Sequence, residues 1–193
     1  MNTLVIDTST DRTSCALFKD EALIYSGFQD GATEHAEVLP KLVLAALEAD
    51  ERVDRVIVGM GPGPFTGLRT GIIFAKTFAF ARGLSVHGIC SLDAIAYSID
   101  DPEFIVATDA RRKELYWAHY KNGARIAAPN VSAPSEIPKL PIYGEGALKY
   151  SLTNNQEHLY PDLLSFPKLI EEQEITEPLY LRHPDAVPTA ERK

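Results

Sequence analysis

A rigid turn between a strand and a long helix is the feature that most restricts how this chain can fold. Residues 59–71 read Gly-Met-Gly-Pro-Gly-Pro-Phe-Thr-Gly-Leu-Arg-Thr-Gly. An apolar strand is predicted before them, over residues 53–60, and a helix after them, over residues 66–82. Gly83 stands where a glycine C-cap would end that helix. The segment therefore predicts a strand, a tight turn and a helix in immediate succession.

The turn itself supports two interpretations. A helix amino terminus behind a glycine-rich turn can hold an anion, and Gly63 and Thr66 are the candidate contacts. However, Leu68 and Arg69 stand where a phosphate-binding P-loop has Lys and Ser or Thr. A tight turn with only a structural role explains the same residues.

The helix predicted over residues 66–82 has apolar side chains on nearly every side. A helix that packs on one sheet needs a single apolar side, so a second side of this one should also be covered. We expect a subunit interface there, although burial within the lobe would explain the same pattern. The candidate interface residues are Leu68, Arg69, Ile73, Phe74, Thr77 and Phe78.

The remaining pattern predicts an α/β chain with two lobes. A first lobe is predicted over residues 1–99. It contains, in order, three strands, a helix with Thr33 as N-cap and Pro40 in its early turns, a strand, a helix and a further strand. Residues 100–193 form a smaller, proline-rich second lobe, with Asn122-Gly123 as a hairpin turn. The last residues, from about Pro184, are expected to fray.

An acid followed by hydroxyls ends the first predicted strand. In actin-like ATPases such residues hold phosphate and metal, so Asp7, Thr8 and Ser9 are candidate anion or nucleotide contacts. In those ATPases a glycine follows the acid by two places, and here that place is Ser9. The alternative is that Asp7 and Thr8 satisfy the amides of the turn. A second glycine motif, over residues 142–147, fits either an adenosine contact or a plain strand–helix turn.

The charge of the chain limits how it can meet nucleic acid. Its formal net charge is −8, so it has no overall attraction for phosphates. The strongest local cationic segment is Arg111, Arg112 and Lys113, which stands before a strand with two aromatic residues. This patch is a candidate contact for RNA or for an acidic partner, and a solvated hairpin tip is the alternative.

Several classes of protein are disfavoured by what the sequence lacks. No apolar run is long enough to span a membrane, and the first residues do not read as a signal peptide, so a cytoplasmic protein is expected. Cys15 and Cys90 form no disulfide or metal framework. No His-Glu-x-x-His or Gly-x-Ser-x-Gly motif occurs, so we assign no catalytic residue and no metal ligand.

Five segments, in order along the chain, resemble the TsaB (YeaZ) family. The segment at residues 59–69, Gly-Met-Gly-Pro-Gly-Pro-Phe-Thr-Gly-Leu-Arg, is specific to that family, and the other four support it. They are Ile-Asp-Thr-Ser at residues 6–9, His-Ala-Glu-Val-Leu-Pro at 35–40, Asp-Ala-Arg-Arg at 109–112 and Pro-Leu-Tyr-Leu-Arg at 178–182.

The resemblance implies an actin-like (acetate and sugar kinase/Hsp70/actin, ASKHA) two-lobed fold with a reduced second lobe. It implies a non-catalytic scaffold subunit that acts in threonylcarbamoyl transfer to the adenosine beside the anticodon of tRNA. The implied partners are the catalytic homologue TsaD and the ATPase TsaE, with tRNA bound through the complex and a homodimer through the same helix. ATP and metal are expected on the partner subunits, with no cofactor on this chain and no membrane contact. The alternatives are a standalone actin-like phosphotransferase that uses ATP and, less favoured, a metallopeptidase-like protein.

Overall fold

The computed structural model describes residues 1–31 and 33–182, and two five-stranded sheets organise them. The first sheet has the strand order β3-β2-β1-β4-β5. Its strands are β1 (Asn2–Asp7), β2 (Arg12–Lys19), β3 (Ala22–Asp30), β4 (Arg55–Gly59) and β5 (Ser85–Ile89). The first three strands pair antiparallel, and β4 and β5 continue parallel to β1. Central strand β1 is buried along its whole length, as its apolar sequence requires.

Helices cover both faces of the first sheet. On one face, α1 (His35–Ala49) and α2 (Phe65–Arg82) share a core with Leu4, Ile6 and Leu17. On the other face, α5 (Phe166–Gln173) packs through Phe166 and Leu169 against Val5, Ala16 and Ile57. The predicted division placed residues 100–193 in the second lobe, whereas α5 lies on the first sheet. Its apolar side chains fill the face that α1 and α2 leave open.

The second sheet is smaller and follows residue 100. It has the strand order β10-β6-β7-β8, and β9 also pairs with β7. Its elements are β6 (Glu103–Asp109), β7 (Leu115–Lys121), β8 (Ala124–Arg125), β9 (Asn130–Ser132), the 3-10 turn Pro134–Glu136, β10 (Ile142–Tyr143) and α4 (Glu145–Lys149). The short strands β8, β9 and β10 fit the expectation of a reduced second lobe. The predicted hairpin turn is confirmed, because Asn122 and Gly123 have φ angles of 50° and 76° between β7 and β8.

The helix ends agree with the sequence in one case and differ in another. Gly83 adopts the left-handed conformation as the C-cap of α2, as predicted. The predicted N-cap Thr33 is wrong, because α1 begins at His35 with Glu34 as its N-cap. The amides of Glu37 and Val38 both donate to the Glu34 carbonyl, which starts the helix one residue later. Pro40 lies inside α1. The residues from Pro184 onward, which were expected to fray, lie outside the described part of the chain.

Helix α3 (Ser91–Ala96) connects the two sheets through a buried ion pair. The Arg125 guanidinium donates to the Asp93 carboxylate over 2.9 Å and 3.3 Å, and the Tyr120 hydroxyl donates to the same carboxylate over 2.7 Å. Asp93 belongs to α3, whereas Arg125 and Tyr120 belong to the second sheet. Leu92 and Ile95 pack beside this pair against Phe104 of β6. These contacts fix the second sheet to the end of the first.

We expect Arg125→Ala to lower the free energy of unfolding by about 3 kcal/mol, because it leaves the Asp93 carboxylate buried without its cation. Urea denaturation followed by circular dichroism measures this loss. The matched control is Arg52→Ala, which breaks an exposed pair with Asp54 and should cost much less, because solvent screens exposed ion pairs. Equal losses in the two variants would contradict the assigned role of Arg125.

Candidate docking face and inter-lobe cleft

The acid at the end of β1 is committed to internal hydrogen bonds. Asp7 is buried, and its carboxylate accepts from the Ser9 amide (2.9 Å), the Ser9 hydroxyl (2.8 Å) and the Ser91 hydroxyl (2.7 Å). Burial raises the pKa of Asp7, and the bonds from Ser91 and Ser9 oppose that shift. A side chain at Gly59 would place its Cβ 1.9 Å from the Asp7 carboxylate. Asp7 therefore joins β1, β4 and α3 from inside the protein.

The glycine-rich turn lies directly on the end of β1. The Thr8 hydroxyl donates to the Gly67 carbonyl over 2.8 Å, and a Cβ on Gly63 would lie 2.3 Å from the Ser9 carbonyl oxygen. Thr8, Ser9 and Gly63 are all buried. The predicted anion contact at Asp7, Thr8 and Ser9 does not fit this packing, because the two segments leave no space between them for a phosphate, whereas Gly63 and Thr66 line a cavity on the other side of the turn. Among the predicted contacts only Thr66 is exposed.

Helix α2 has one buried side and a largely apolar outer side. Ile73 is 48% exposed and Phe80 is 89% exposed, while Phe74 and Phe78 are half-buried with ring centroids 6.2 Å apart. The predicted interface residue Leu68 is an exception, because its side chain is fully buried in the core. It faces the sheet because it shares the buried side with Ile72, Ala75 and Ala79, so it is not available to a partner.

The outer side of α2 combines apolar and cationic residues. Arg69 and Thr77 are exposed beside Ile73, as the interface prediction requires. A shallow groove of about 530 Å³ runs along this side from Phe65 to Thr77. No residue of α2 is acidic, whereas Arg69, Lys76 and Arg82 carry positive charge. We name the exposed and half-buried residues of this side the docking face: Arg69, Ile73, Phe74, Thr77, Phe78 and Phe80.

The cationic segment forms the tip of the β6–β7 hairpin. Arg111, Arg112 and Lys113 are exposed and have φ angles of 60°, 53° and 63°. The Glu114 amide donates to the Arg111 carbonyl over 3.0 Å, and Arg182 both pairs with Glu114 and donates to the Ala110 carbonyl. Three successive left-handed residues are unusual outside glycine. The contacts of Arg182 fix this conformation from the far end of the described chain.

A cavity of about 460 Å³ separates this hairpin from the start of α2. Arg111, Arg112 and Arg182 line one side, and His35 and Thr66 line the other. The ring of His35 is 5% exposed, with its Nδ1 atom 2.8 Å from the Thr13 hydroxyl, and burial lowers its pKa. We name this space the cationic cavity.

A second cavity of about 580 Å³ adjoins the first and contains Glu145. Its carboxylate accepts from the Asp109 amide over 2.7 Å, and Asp11 and Lys149 also line the space. Burial raises the pKa of Glu145 to about 7, and the nearby charges of Asp11 and Asp109 add to this shift. Sequence reasoning missed Glu145 as a titrating group. It follows Gly144, where a Cβ would lie 2.2 Å from the Ala107 carbonyl oxygen, and this close approach explains the glycine.

Tyr116, Tyr180 and Arg182 of the cationic cavity were also missed as site residues. The signal was present in part, because residues 178–182 match a family segment. Within residues 1–31 and 33–182, no group of three or more His, Cys, Asp or Glu side chains is placed to hold a metal ion. No helix in that part of the chain is long and apolar enough to cross a membrane.

Comparison with known proteins identifies relatives over most of the chain. The family model described as "TsaD: tRNA N6-adenosine threonylcarbamoyltransferase" matches residues 29–176. An uncharacterized protein of Mycobacterium tuberculosis strain H37Rv is 39% identical, over 97% of this chain and 94% of that protein. The "tRNA threonylcarbamoyladenosine biosynthesis protein TsaB" of Escherichia coli is 31% identical over 63% of this chain and 55% of its own length. The match thus spans little more than half of that TsaB protein.

Solved structures agree with the fold. An uncharacterized Pseudomonas aeruginosa protein described as similar to the peptidase YEAZ superposes with a TM-score of 0.77 at 24% identity, covering 94% of this chain and 99% of that one. The structure of YeaZ from the same organism has a TM-score of 0.72 at 24% identity, covering 88% and 90% of the two chains. Together with the two sheets, these likenesses show that the chain has the α/β fold of those two proteins.

The two sides of α2 should respond differently to the loss of an apolar side chain. We expect Leu68→Ala to lower the free energy of unfolding by about 3 kcal/mol, because it opens a cavity in the core. Ile73→Ala on the outer side is the matched control, and it should cost less than about 0.5 kcal/mol in the isolated chain. Urea denaturation of both variants provides the comparison. A Leu68→Ala variant as stable as wild type would place this residue outside the core.

Glu145 should make stability depend on pH. Its pKa in the folded chain, about 7, lies above its ordinary value of 4.5, so the fold favours the protonated form. The stability that this preference contributes is present below about pH 4.5 and is lost as pH rises through about 7. We measure the free energy of unfolding at about pH 5 and at about pH 8. From the lower to the higher pH, we expect that of Glu145→Gln to rise by about 1–2 kcal/mol relative to that of wild type. Urea denaturation at both pH values tests this, with Glu48→Gln on the exposed side of α1 as control; parallel pH profiles for Glu145→Gln and wild type would refute it.

Proposed function

The chain belongs to the TsaD-type family of tRNA N6-adenosine threonylcarbamoyltransferase proteins and, within it, to the TsaB (YeaZ) group, and from this premise we propose that it is a non-catalytic docking subunit in tRNA threonylcarbamoyladenosine biosynthesis. In this role it binds a TsaD-type catalytic chain through the docking face of α2. The complex then recruits a TsaE-type ATPase, and tRNA is engaged by the assembly as a whole. ATP and metal belong to the partner subunits.

The observation that carries this proposal is the outer side of α2. Ile73 and Phe80 are exposed, and the half-buried rings of Phe74 and Phe78 pack against the core. The neighbouring helix α1 exposes Leu44 at 61%. Apolar residues gathered on adjacent helices, with polar residues around them, are typical of a protein–protein interface.

Charge supports a partner with an acidic surface. The whole chain carries −8, whereas α2 carries three cations and no acid. Arg69 and Lys76 flank the exposed apolar residues on the helix. Opposite charges at the rim of an interface accelerate association and select the partner. A second copy of this chain would bring these cations against each other, so a homodimer through the same face should be weaker than the pairing with TsaD.

The end of β1 supports a role without catalysis. In the ATP-dependent alternative, the acid and the residues after it must face phosphate. Here Asp7 accepts three hydrogen bonds from serine groups, and Ser9 is in direct contact with Gly63. A phosphotransferase mechanism through these residues would require the glycine-rich turn to move away from β1. The docking proposal requires no such movement.

Replacing one exposed apolar residue of the docking face with an acidic residue tests the proposal. We expect Ile73→Glu to abolish co-purification with the TsaD-type chain of the same organism, because a carboxylate replaces an apolar contact at the centre of the face. The matched control is Ile126→Glu, which alters a comparably exposed isoleucine (53%) that directly follows β8. Ile73 is preferred to Phe74 because Phe74 also packs against the core.

Three outcomes would count against the docking role. Ile73→Glu could retain TsaD at the wild-type yield, or Ile126→Glu could lose it equally. Reconstituted modification of tRNA could also proceed at the full rate without this chain. Unfolding curves of both variants, measured in the same preparation, separate a lost interface from a lost fold.

A further inference from the structure

We propose that the exposed tip of the β6–β7 hairpin binds the sugar–phosphate backbone of an RNA loop, with the ring of Tyr180 as a stacking surface for one of its bases. The tip consists of Arg111, Arg112 and Lys113. This inference rests on the proposed function only for the identity of the RNA, a tRNA that the assembly modifies. The contact itself follows from the charge, the exposure and the backbone of the tip.

The acids that flank the tip are engaged by cations from outside it. The Asp109 carboxylate accepts a hydrogen bond from Lys149, and Glu114 pairs with Arg182. The flanking acids are thus balanced without the three cations of the tip, and positive charge prevails there on a chain of net charge −8. Such a local patch is typical of a nucleic acid contact, because Lys and Arg that meet phosphates release the counter-ions condensed around them.

The backbone of the tip has a fixed and unusual conformation. Its three residues are left-handed, and such a run is costly for residues with a Cβ, so it persists only where the surroundings hold it. Here Arg182 donates to the Ala110 carbonyl over 2.9 Å, and the Glu114 amide donates to the Arg111 carbonyl over 3.0 Å. The tip therefore has its shape before RNA arrives, which lowers the entropy that binding would cost.

A partly exposed tyrosine lies beside the cations. Tyr180 is 40% exposed, and its ring centroid is 5.1 Å from that of Phe65. Tyr180, Arg111 and Arg112 border the same cavity, so the ring and the cations are close together. Unpaired bases of RNA loops stack on aromatic rings, whereas the bases of a duplex are already stacked on one another. The combination favours an RNA loop over a regular duplex.

An acidic protein is the other class of partner that cations can attract. The centre of a protein interface is depleted in charged residues and rich in apolar ones, as on the docking face. The tip has the opposite composition, because all three of its residues are cations and all three are exposed. Exposed Arg and Lys side chains are the groups that proteins use to contact phosphates. The composition of the tip therefore favours RNA.

The tip lies next to the docking face. Thr66 and Thr70 of α2 line both the cavity that Arg111 borders and the groove of the docking face. A TsaD-type chain bound on the docking face would adjoin the tip, so one RNA could contact both chains. In this arrangement the tip extends the RNA-binding surface of the assembly beside its catalytic partner.

Fluorescence anisotropy of a labelled RNA stem-loop, titrated with the isolated full chain at several salt concentrations, tests the inference. We expect the double variant Arg111→Gln, Lys113→Gln to weaken binding about tenfold at low salt, because two phosphate contacts are lost. The slope of log Kd against log salt concentration should fall by about 1–2. The charge-matched control is Lys19→Gln, Arg52→Gln, which removes two exposed cations of other ion pairs and should leave affinity and slope close to those of wild type.

Tyr180→Leu tests the stacking surface separately from the charge. We expect it to weaken binding of the stem-loop several-fold and to leave the salt dependence unchanged, because it removes a ring and no cation. A fully paired RNA duplex of the same length is the matched probe, and its affinity should not change. Equal losses for stem-loop and duplex would exclude Tyr180 from the contact.

Three results would overturn the proposal. The stem-loop could fail to bind wild type at low salt, the tip variant and its control could lose equal affinity, or a polyglutamate peptide could bind as tightly as the RNA and with the same dependence on Arg111 and Lys113. The third result would assign the tip to an acidic protein. Circular dichroism of each variant confirms that the fold is kept.

The docking role is measured separately, so the two proposals can fail independently. Ile73→Glu should lose the TsaD-type chain in co-purification and keep the RNA affinity of wild type. The tip variant should keep the TsaD-type chain and lose RNA. Loss of the TsaD-type chain by the tip variant would place the tip in the protein interface and overturn its assignment to RNA.

Discussion

The direct contact between the end of β1 and the glycine-rich turn is the constraint on which the arrangement of this protein depends. Glycines at positions 59 and 63 allow the turn to approach Asp7 and Ser9 more closely than any side chain would permit. This approach places the first turn of α2 against Thr8 and sets the direction of the whole helix. The same contact leaves no free space beside Asp7 and Ser9. One packing arrangement thus positions the helix and closes the end of β1.

The sequence predicted the order of the strands and helices well, because the apolar periodicity and the glycine and proline positions are local signals. It could not place α5, since nothing in residues 166–173 indicates which sheet their apolar side will meet. Leu68 was wrongly assigned to the interface for a related reason. Periodicity gives the angular position of a residue on a helix, but only the packing of the sheet decides which of several apolar sides is the inner one. Glu145 and Tyr180 were missed because their contacts, with Asp109 and Phe65, join segments far apart in sequence.

Positive charge is concentrated on two parts of this acidic chain. The acidic residues are spread over most of the sequence, whereas α2 and the β6–β7 hairpin are cationic. The docking face combines Arg69 with exposed and half-buried apolar residues, a composition typical of protein–protein interfaces. The cationic cavity combines three arginines with Tyr116 and Tyr180. It adjoins the groove of the docking face, since Phe65 and Thr66 line both.

The packing of α5 on the first sheet has a consequence for synthesis on the ribosome. Strands β1, β2 and β4 are complete once the first 59 residues have emerged, but Val5, Ala16 and Ile57 keep an uncovered face until Phe166 and Leu169 arrive. At about 5–20 residues per second, this interval lasts on the order of ten seconds. During that interval the nascent chain presents an apolar sheet face to its surroundings. Late closure of this face makes the folding of the first lobe depend on residues 166–169, far downstream of its strands, so long-range contacts have a large share in it.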